Sequence, residues 1–229
     1  VAPGSGGTGP MATGSGGTFA IGSGQGALGT VNVAGTLDVG TGNGAVYIGG
    51  RLHNTGAAGS GVLTIDDGGV VNIAAGASNP PVAGASTTRV WLNPWARGAN
   101  GAEITVNAGG TLATARVLSE GYHGAAALNI DGGTLKALGN GTLIHPDANL
   151  VVTIAAGGAT IDSNGFTTLV AKPLGGSGSL TKVGSGTLRL NKANTYTGGT
   201  IVDVGTLQLE YGSNGVGTIR GAVTVNAAG

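Results

Sequence analysis

The chain has no cysteine, which fits a secreted protein that avoids disulfide trapping. Aromatic residues make up only 3% and charged residues 9%, against roughly 25% charged in an ordinary globular domain. No apolar run approaches the ~20 residues of a membrane helix, so direct membrane insertion is not expected. Ten Lys and Arg balance ten Asp and Glu with no basic run. Nucleic acid and anionic membrane, which need clustered cations, are therefore not expected partners. The opening VAPGSGGTGP lacks the charged start and apolar centre of a signal peptide. An export signal is expected to have been removed or to lie outside this sequence.

What is present is glycine, 50 residues of 229, together with 40% apolar residues. Glycine without a three-residue period excludes collagen, and the apolar content is too high for a disordered coil. The tripeptide Gly-Thr-Leu recurs at Gly35, Gly110, Gly133, Gly141, Gly186 and Gly205. Aligning strand, small polar turn, glycine and strand gives units such as TVNVAGTLDV, VLTIDDGGVVNI, EITVNAGGTLAT and ALNIDGGTLKAL. The glycines before each second strand stand at 35, 69, 110, 133, 158, 186 and 205. Their spacing is the period of a solenoid. Leu63-Thr64-Ile65 and Leu128-Asn129-Ile130 alternate as half-buried strands do, and glycine interrupts nearly every helical window.

The spacing suits one turn of a parallel β-helix, an all-β solenoid of about nine to ten coils, rising ~4.8 Å per coil. Residues 1–229 read as one such domain. A leucine-rich horseshoe lacks its consensus here, and a propeller needs longer blades. Stacking predicts three columns. Asp66, Asn107, Asp131 and Asn226 share a corner; Thr36, Thr111, Thr134, Thr187 and Thr206 face solvent; Leu37, Leu112, Leu135, Leu188 and Leu207 fill one core file. The two long intervals, before Gly69 and before Gly110, are expected to hold an extra, poorly matched coil plus a loop, with Pro80, Pro81 and Pro94 in loops. The last unit, Ala222 to Gly229, matches Glu103 to Gly109 in pattern. It predicts an open coil that further coils or another copy would cover.

The segment Gly176 to Leu209, GSGSLTKVGSGTLRLNKANTYTGGTIVDVGTLQL, resembles the autotransporter-associated β-strand repeat of bacterial passenger domains. The S-L-T-K-x-G-x-G-T-L-x-L run, the N-T-Y-T-G-G-T centre and the closing V-G-T-L-x-L carry the likeness. The resemblance implies a right-handed parallel β-helix, one region of a longer passenger at the cell surface or secreted. It also implies export through an outer-membrane translocator barrel, and a part in adhesion, aggregation or biofilm formation. Partners implied are another copy, or a host surface protein or glycan. A self-assembling filament subunit and a polysaccharide-degrading β-helix enzyme are the alternatives, the enzyme ranked below because the carboxylates are dispersed.

No motif asks for chemistry. Gly4 to Gly9 and Gly24 to Gly29 fit G-x-G-x-x-G, but the second precedes a strand rather than the helix a dinucleotide site requires. Gly175 to Leu180 begins like a calcium nonapeptide, yet Leu180 replaces the ligand carboxylate. Asp66-Asp67 reads as a corner pair. His53, His123 and His145 share no metal-ligand spacing, so no metal, cofactor or catalytic residue is expected. The one cluster of large polar-tipped side chains is Arg89, Trp91, Trp95, Arg97, Tyr122 and His123. Tryptophan and tyrosine faces stack on sugars, and arginine joins them at protein hot spots, so these six are the candidate binding surface. The competing reading, which the balance of residue types favours, packs Trp91 into the core and lays Trp95 over a rung edge.

Overall fold

A computed structural model of the chain describes residues 11–13, 18–22, 27–42, 45–49, 59–75, 89–92, 101–119, 124–212 and 215–226. No helix occurs among them. The strands form sheets of six, nine and eight strands with parallel pairing throughout, plus one antiparallel hairpin, Tyr211–Gly212 with Gly215–Val216. In the order the chain visits them, the three large sheets are walls I, II and III. One coil shows the rule. Gly101–Asn107 lies in wall I, Thr111–Thr114 in wall II and Val117–Leu118 in wall III; Ala125–Asp131 then returns to wall I beside Gly101–Asn107. A chain that returns each time beside its own previous coil is a parallel β-helix, as the repeat predicts.

The core follows from alternation. In wall I, Ile104, Val106, Leu128 and Ile130 are buried, while Thr105 and Asn129 between them face outward. In wall II, Leu37, Val71, Leu112, Leu135 and Ile161 stand in register on consecutive strands, each buried. Branched side chains therefore stack into files running the length of the solenoid.

The predicted leucine file is corrected by the structure. Leu188 and Leu207 lie in wall III and pair with each other, not with Leu135. Thr187 and Thr206 go with them, and the wall II threonine file continues instead through Thr160 and Thr181. Leu207 is only half-buried, on the outermost strand of its wall. The physical reason is that two corners make the same demand. At both, the tripeptide's glycine passes close against a backbone carbonyl of the coil before: a Cβ at Gly133 would come within 2.5 Å of the Val106 oxygen, and one at Gly186 within 2.0 Å of the Phe166 oxygen. A side chain does not fit and a strand must follow, so one tripeptide serves both places. Gly35, Gly110 and Gly133 open strands of wall II; Gly141, Gly186 and Gly205 lead into wall III. Gly110 meets the same limit, since a Cβ there would come within 2.5 Å of the Ile65 carbonyl on the coil before.

The polar corner holds in part. Asp66 and Asn107 leave wall I on consecutive coils, and Asn107 Nδ2 donates to Asp66 Oδ1 at 2.8 Å. Asn107 is in register with Asp131, whose Oδ1 accepts from the Gly157 amide at 2.7 Å. Asn226 belongs elsewhere. Val223–Val225 pairs with Thr200–Val202 in wall II, and Asn226 Nδ2 donates to Asp203 Oδ1 at the next corner. The final unit thus matches a wall I unit in pattern but occupies wall II.

The long intervals contain no additional coil. Thr36–Gly42 pairs directly with Val70–Ala75, and Val70–Ala75 with Thr111–Thr114. The surplus residues fall at 50–58, 76–88 and 93–100. Pro80, Pro81 and Pro94 lie there, outside the described residues.

Leu135, fully buried between coils, should lose roughly 2–5 kcal/mol of stability on change to Ala, as a cavity in a packed core does. Leu207→Ala should cost clearly less. Urea unfolding of the two variants beside the parent chain measures both.

Candidate functional site

Arg89–Leu92 is a strand of wall III. Val90 and Leu92 are fully buried in the core, so alternation turns Arg89 and Trp91 to the outer face. In register along that face stand Ala20, Tyr47, Trp91 and Leu118. The Tyr47 and Trp91 rings are 5.6 Å apart and tilted, and the Arg89 guanidinium lies 4.6 Å from the indole centroid. That is cation–π distance. Trp91 is nevertheless only 6% exposed. It sits outside the core file, and it is no open platform either. Of the six predicted residues the structure thus brings Arg89 and Trp91 together; Trp95, Arg97, Tyr122 and His123 lie outside the described residues.

Toward the wall III exit the next coils add groups that the motif search passed over. His145 Nδ1 is 2.8 Å from Asp147 Oδ1, and Asp147 Oδ2 accepts from the Ser119 amide at 2.6 Å. An acceptor-only carboxylate fixes Nδ1 as the ring's donor. Ser119 Oγ, buried, makes no hydrogen bond, so Ser119 is not held by this Asp–His pair as a nucleophile. Lys172 follows one coil on. Burial pushes its ammonium below the ordinary lysine range and Lys192 adds to this, while Asp147 opposes them. Among the described residues no three His, Asp or Glu converge as a metal site.

The second organised region is the segment with the family resemblance. Lys182 stands in the wall II core file between Ile161 and Val202 and is fully buried. A bare ammonium there would be prohibitive. Its Nζ donates to the carbonyls of Val183, Gly184 and Val204 at 2.8, 2.7 and 2.9 Å. The first two close its own corner and the third belongs to the next coil, so one side chain ties two corners together. Gly205 is required beside it by its φ of 80° and because a Cβ there would meet the Gly184 and Gly186 carbonyl oxygens at 2.4 and 2.5 Å. Burial lowers the Lys182 pKa and Asp162 partly offsets that.

After Leu174–Gly176, wall I has no further strand. The chain still crosses there, the Thr195 and Tyr196 amides donating to the Leu174 carbonyl and the Thr197 amide to that of Gly176, and side chains add to these backbone bonds. Asn194 Oδ1 accepts from the Leu174 amide at 2.9 Å, and its Nδ2 donates to Lys192 and Thr218 carbonyls at 3.0 and 2.7 Å. Tyr196, fully buried, fills the core, with its hydroxyl 2.6 Å from Thr200 Oγ1. Burial raises the phenol pKa, so the hydroxyl keeps its proton for that bond. The Lys and the N-T-Y-T centre were visible as motif letters; their purpose was not, because the amine's partners are backbone carbonyls, which carry no sequence signature.

Residues 180–209 match the family model described as the passenger-associated-transport-repeat. Over 109 residues, 43% of the chain, the sequence is 39% identical to the adhesin BmaC autotransporter of Brucella suis biovar 1 (strain 1330). The chain spans 3% of that relative's length. No solved structure matches. Both matches agree with the resemblance read from Gly176 to Leu209, and the family-model match falls where Lys182 and Asn194 join successive coils and Tyr196 fills the core.

Tyr196→Phe leaves the packing but strips Thr200 Oγ1 of its buried partner. It should cost about 1–3 kcal/mol, read as a lowered urea midpoint with an unchanged slope.

Proposed function

We propose that the chain is a non-enzymatic, adhesin-like region of a bacterial autotransporter passenger, displayed at the cell surface or released from it. The observation that carries this is the transport-repeat match at 180–209, coincident with the side-chain bonds that Lys182 and Asn194 make between coils. Likeness over part of the chain to a protein named an adhesin supports the same reading. The mechanism is mechanical and interfacial. Coil-on-coil hydrogen bonding makes a stiff rod, and the outward files of three walls present flat surfaces for contact with another copy or a host protein or glycan. Adhesion, aggregation and biofilm formation are the activities such surfaces serve. The full-length protein would reach the surface through an outer-membrane translocator barrel. Arg89 and Trp91 on wall III, and with them Trp95, Arg97, Tyr122 and His123 of the sequence, are the proposed contact residues.

Beads coated with the purified chain should adhere to epithelial cell layers or to each other well above albumin-coated beads. Binding at the albumin level in both formats contradicts the reading. Release of reducing or unsaturated ends from acidic or neutral polysaccharides by the chain would instead support an enzyme.

A further inference from the structure

Charge is balanced over the sequence but not over the fold. Five consecutive strands of wall III each bring a basic group, on the strand or beside it: Arg89, Arg116, His145, Lys172 and Arg189. Walls I and II and the corner between them carry Asp38, Asp66, Asp67, Glu103, Asp131 and Asp162. At ~4.8 Å per coil the basic stripe runs about 19 Å along the solenoid.

The two sets differ in what already occupies them. Asp66 accepts from Asn107, Glu103 from Asn129, Asp131 from the Gly157 amide and Asp162 from the Asn164 amide. Most of these carboxylates are thus committed inside the chain. On wall III, Arg189 pairs with Glu210 and His145 with Asp147. Arg89, Arg116 and Lys172 have no carboxylate within ion-pair distance among the described residues. Arg116 positions its strand through its backbone, its amide bonded to Thr114 Oγ1 and its carbonyl accepting from Val90. Its guanidinium takes part in neither bond, and its buried Nε has no hydrogen-bond partner among the described residues.

We propose that this stripe binds a linear acidic polysaccharide, its carboxylates or sulfates meeting one cation per coil. The proposal rests on the reading of the outer walls as adhesive surfaces and names the ligand class of one of them. A second copy of the chain is the poorer occupant, because most of its carboxylates are spent on its own corners. Duplex nucleic acid is poorer as well. It presents two phosphate strands, and its binding draws on some 6–10 phosphate contacts, whereas the stripe is a narrow band of five basic groups with Asp147 and Glu210 set into it, His145 and Lys172 lying further along their strands than the register of Arg89, Arg116 and Arg189. A one-stranded polymer with one anion per sugar fits the spacing of one cation per coil.

The test is binding of the intact chain to immobilised alginate, with dextran and a DNA duplex as comparison surfaces. Alginate should bind and dextran should not, with affinity falling as salt rises because counterions are released. The double variant Arg116→Gln/Lys172→Gln should weaken alginate binding about tenfold while its thermal melt stays with the parent's. Lys136→Gln on wall II should change nothing. Equal retention on alginate and dextran, tighter binding to DNA than to alginate, or an unaffected double variant would each overturn the proposal. If alginate fails while coated beads still adhere to cells, the ligand assignment falls and the adhesin reading stands.

Discussion

Among the described residues each coil hydrogen-bonds in parallel to the coil before it, in register but for shifts at Thr142–Ile144 and Val39–Gly42, and that single constraint decides the rest. Because residue stacks on residue, a position is occupied by a file rather than by a side chain. The wall II file Leu37, Val71, Leu112, Leu135 and Ile161 is one consequence. Glycine at each corner is another, since the incoming strand must turn sharply and pass close beneath the previous carbonyl. Low charge and scarce aromatics follow too, for a three-walled core one coil thick has room for branched aliphatics and little else.

Exceptions to the files are where the structure becomes specific. Lys182 interrupts an aliphatic file, and three carbonyls from two coils offset its burial. Tyr196 and Asn194 stand where wall I has run out of strand. All three lie within the residues that match the transport-repeat model, and there Lys182 and Asn194 join neighbouring coils by side chains as well as backbone. On wall III the outward file Tyr47, Trp91 and Leu118 breaks the polar habit of the outer faces, with Arg89 over the indole. A surface that departs from its own repeat is where recognition belongs.

Fold class was legible in the sequence because period-2 alternation and recurrent glycine are the direct imprint of stacked strands. Wall assignment was not. Gly-Thr-Leu answers the same local demand at two corners, so an alignment on that tripeptide merges Leu135 with Leu188, which lie on different walls. Long intervals were also misread, as extra coils, because spacing counts residues and not rungs. Of the candidate site, Arg89 and Trp91 announced themselves by residue type. Arg116, His145 and Lys172 did not, since they are far apart in sequence and become neighbours in a stripe only through the coil.

Disulfide capture tests the in-register, three-walled stack most directly, and the cysteine-free chain makes it clean. Paired residues on adjacent parallel strands lie within disulfide reach. Cysteines at Thr134 and Thr160, which are in register in wall II, should cross-link readily, as should cysteines at Thr187 and Thr206 in wall III. Cysteines at Thr160 and Thr187 stand on different walls and should remain reduced. Rapid cross-linking of Thr160 to Thr187, with Thr134 and Thr160 left unlinked, would contradict the stack.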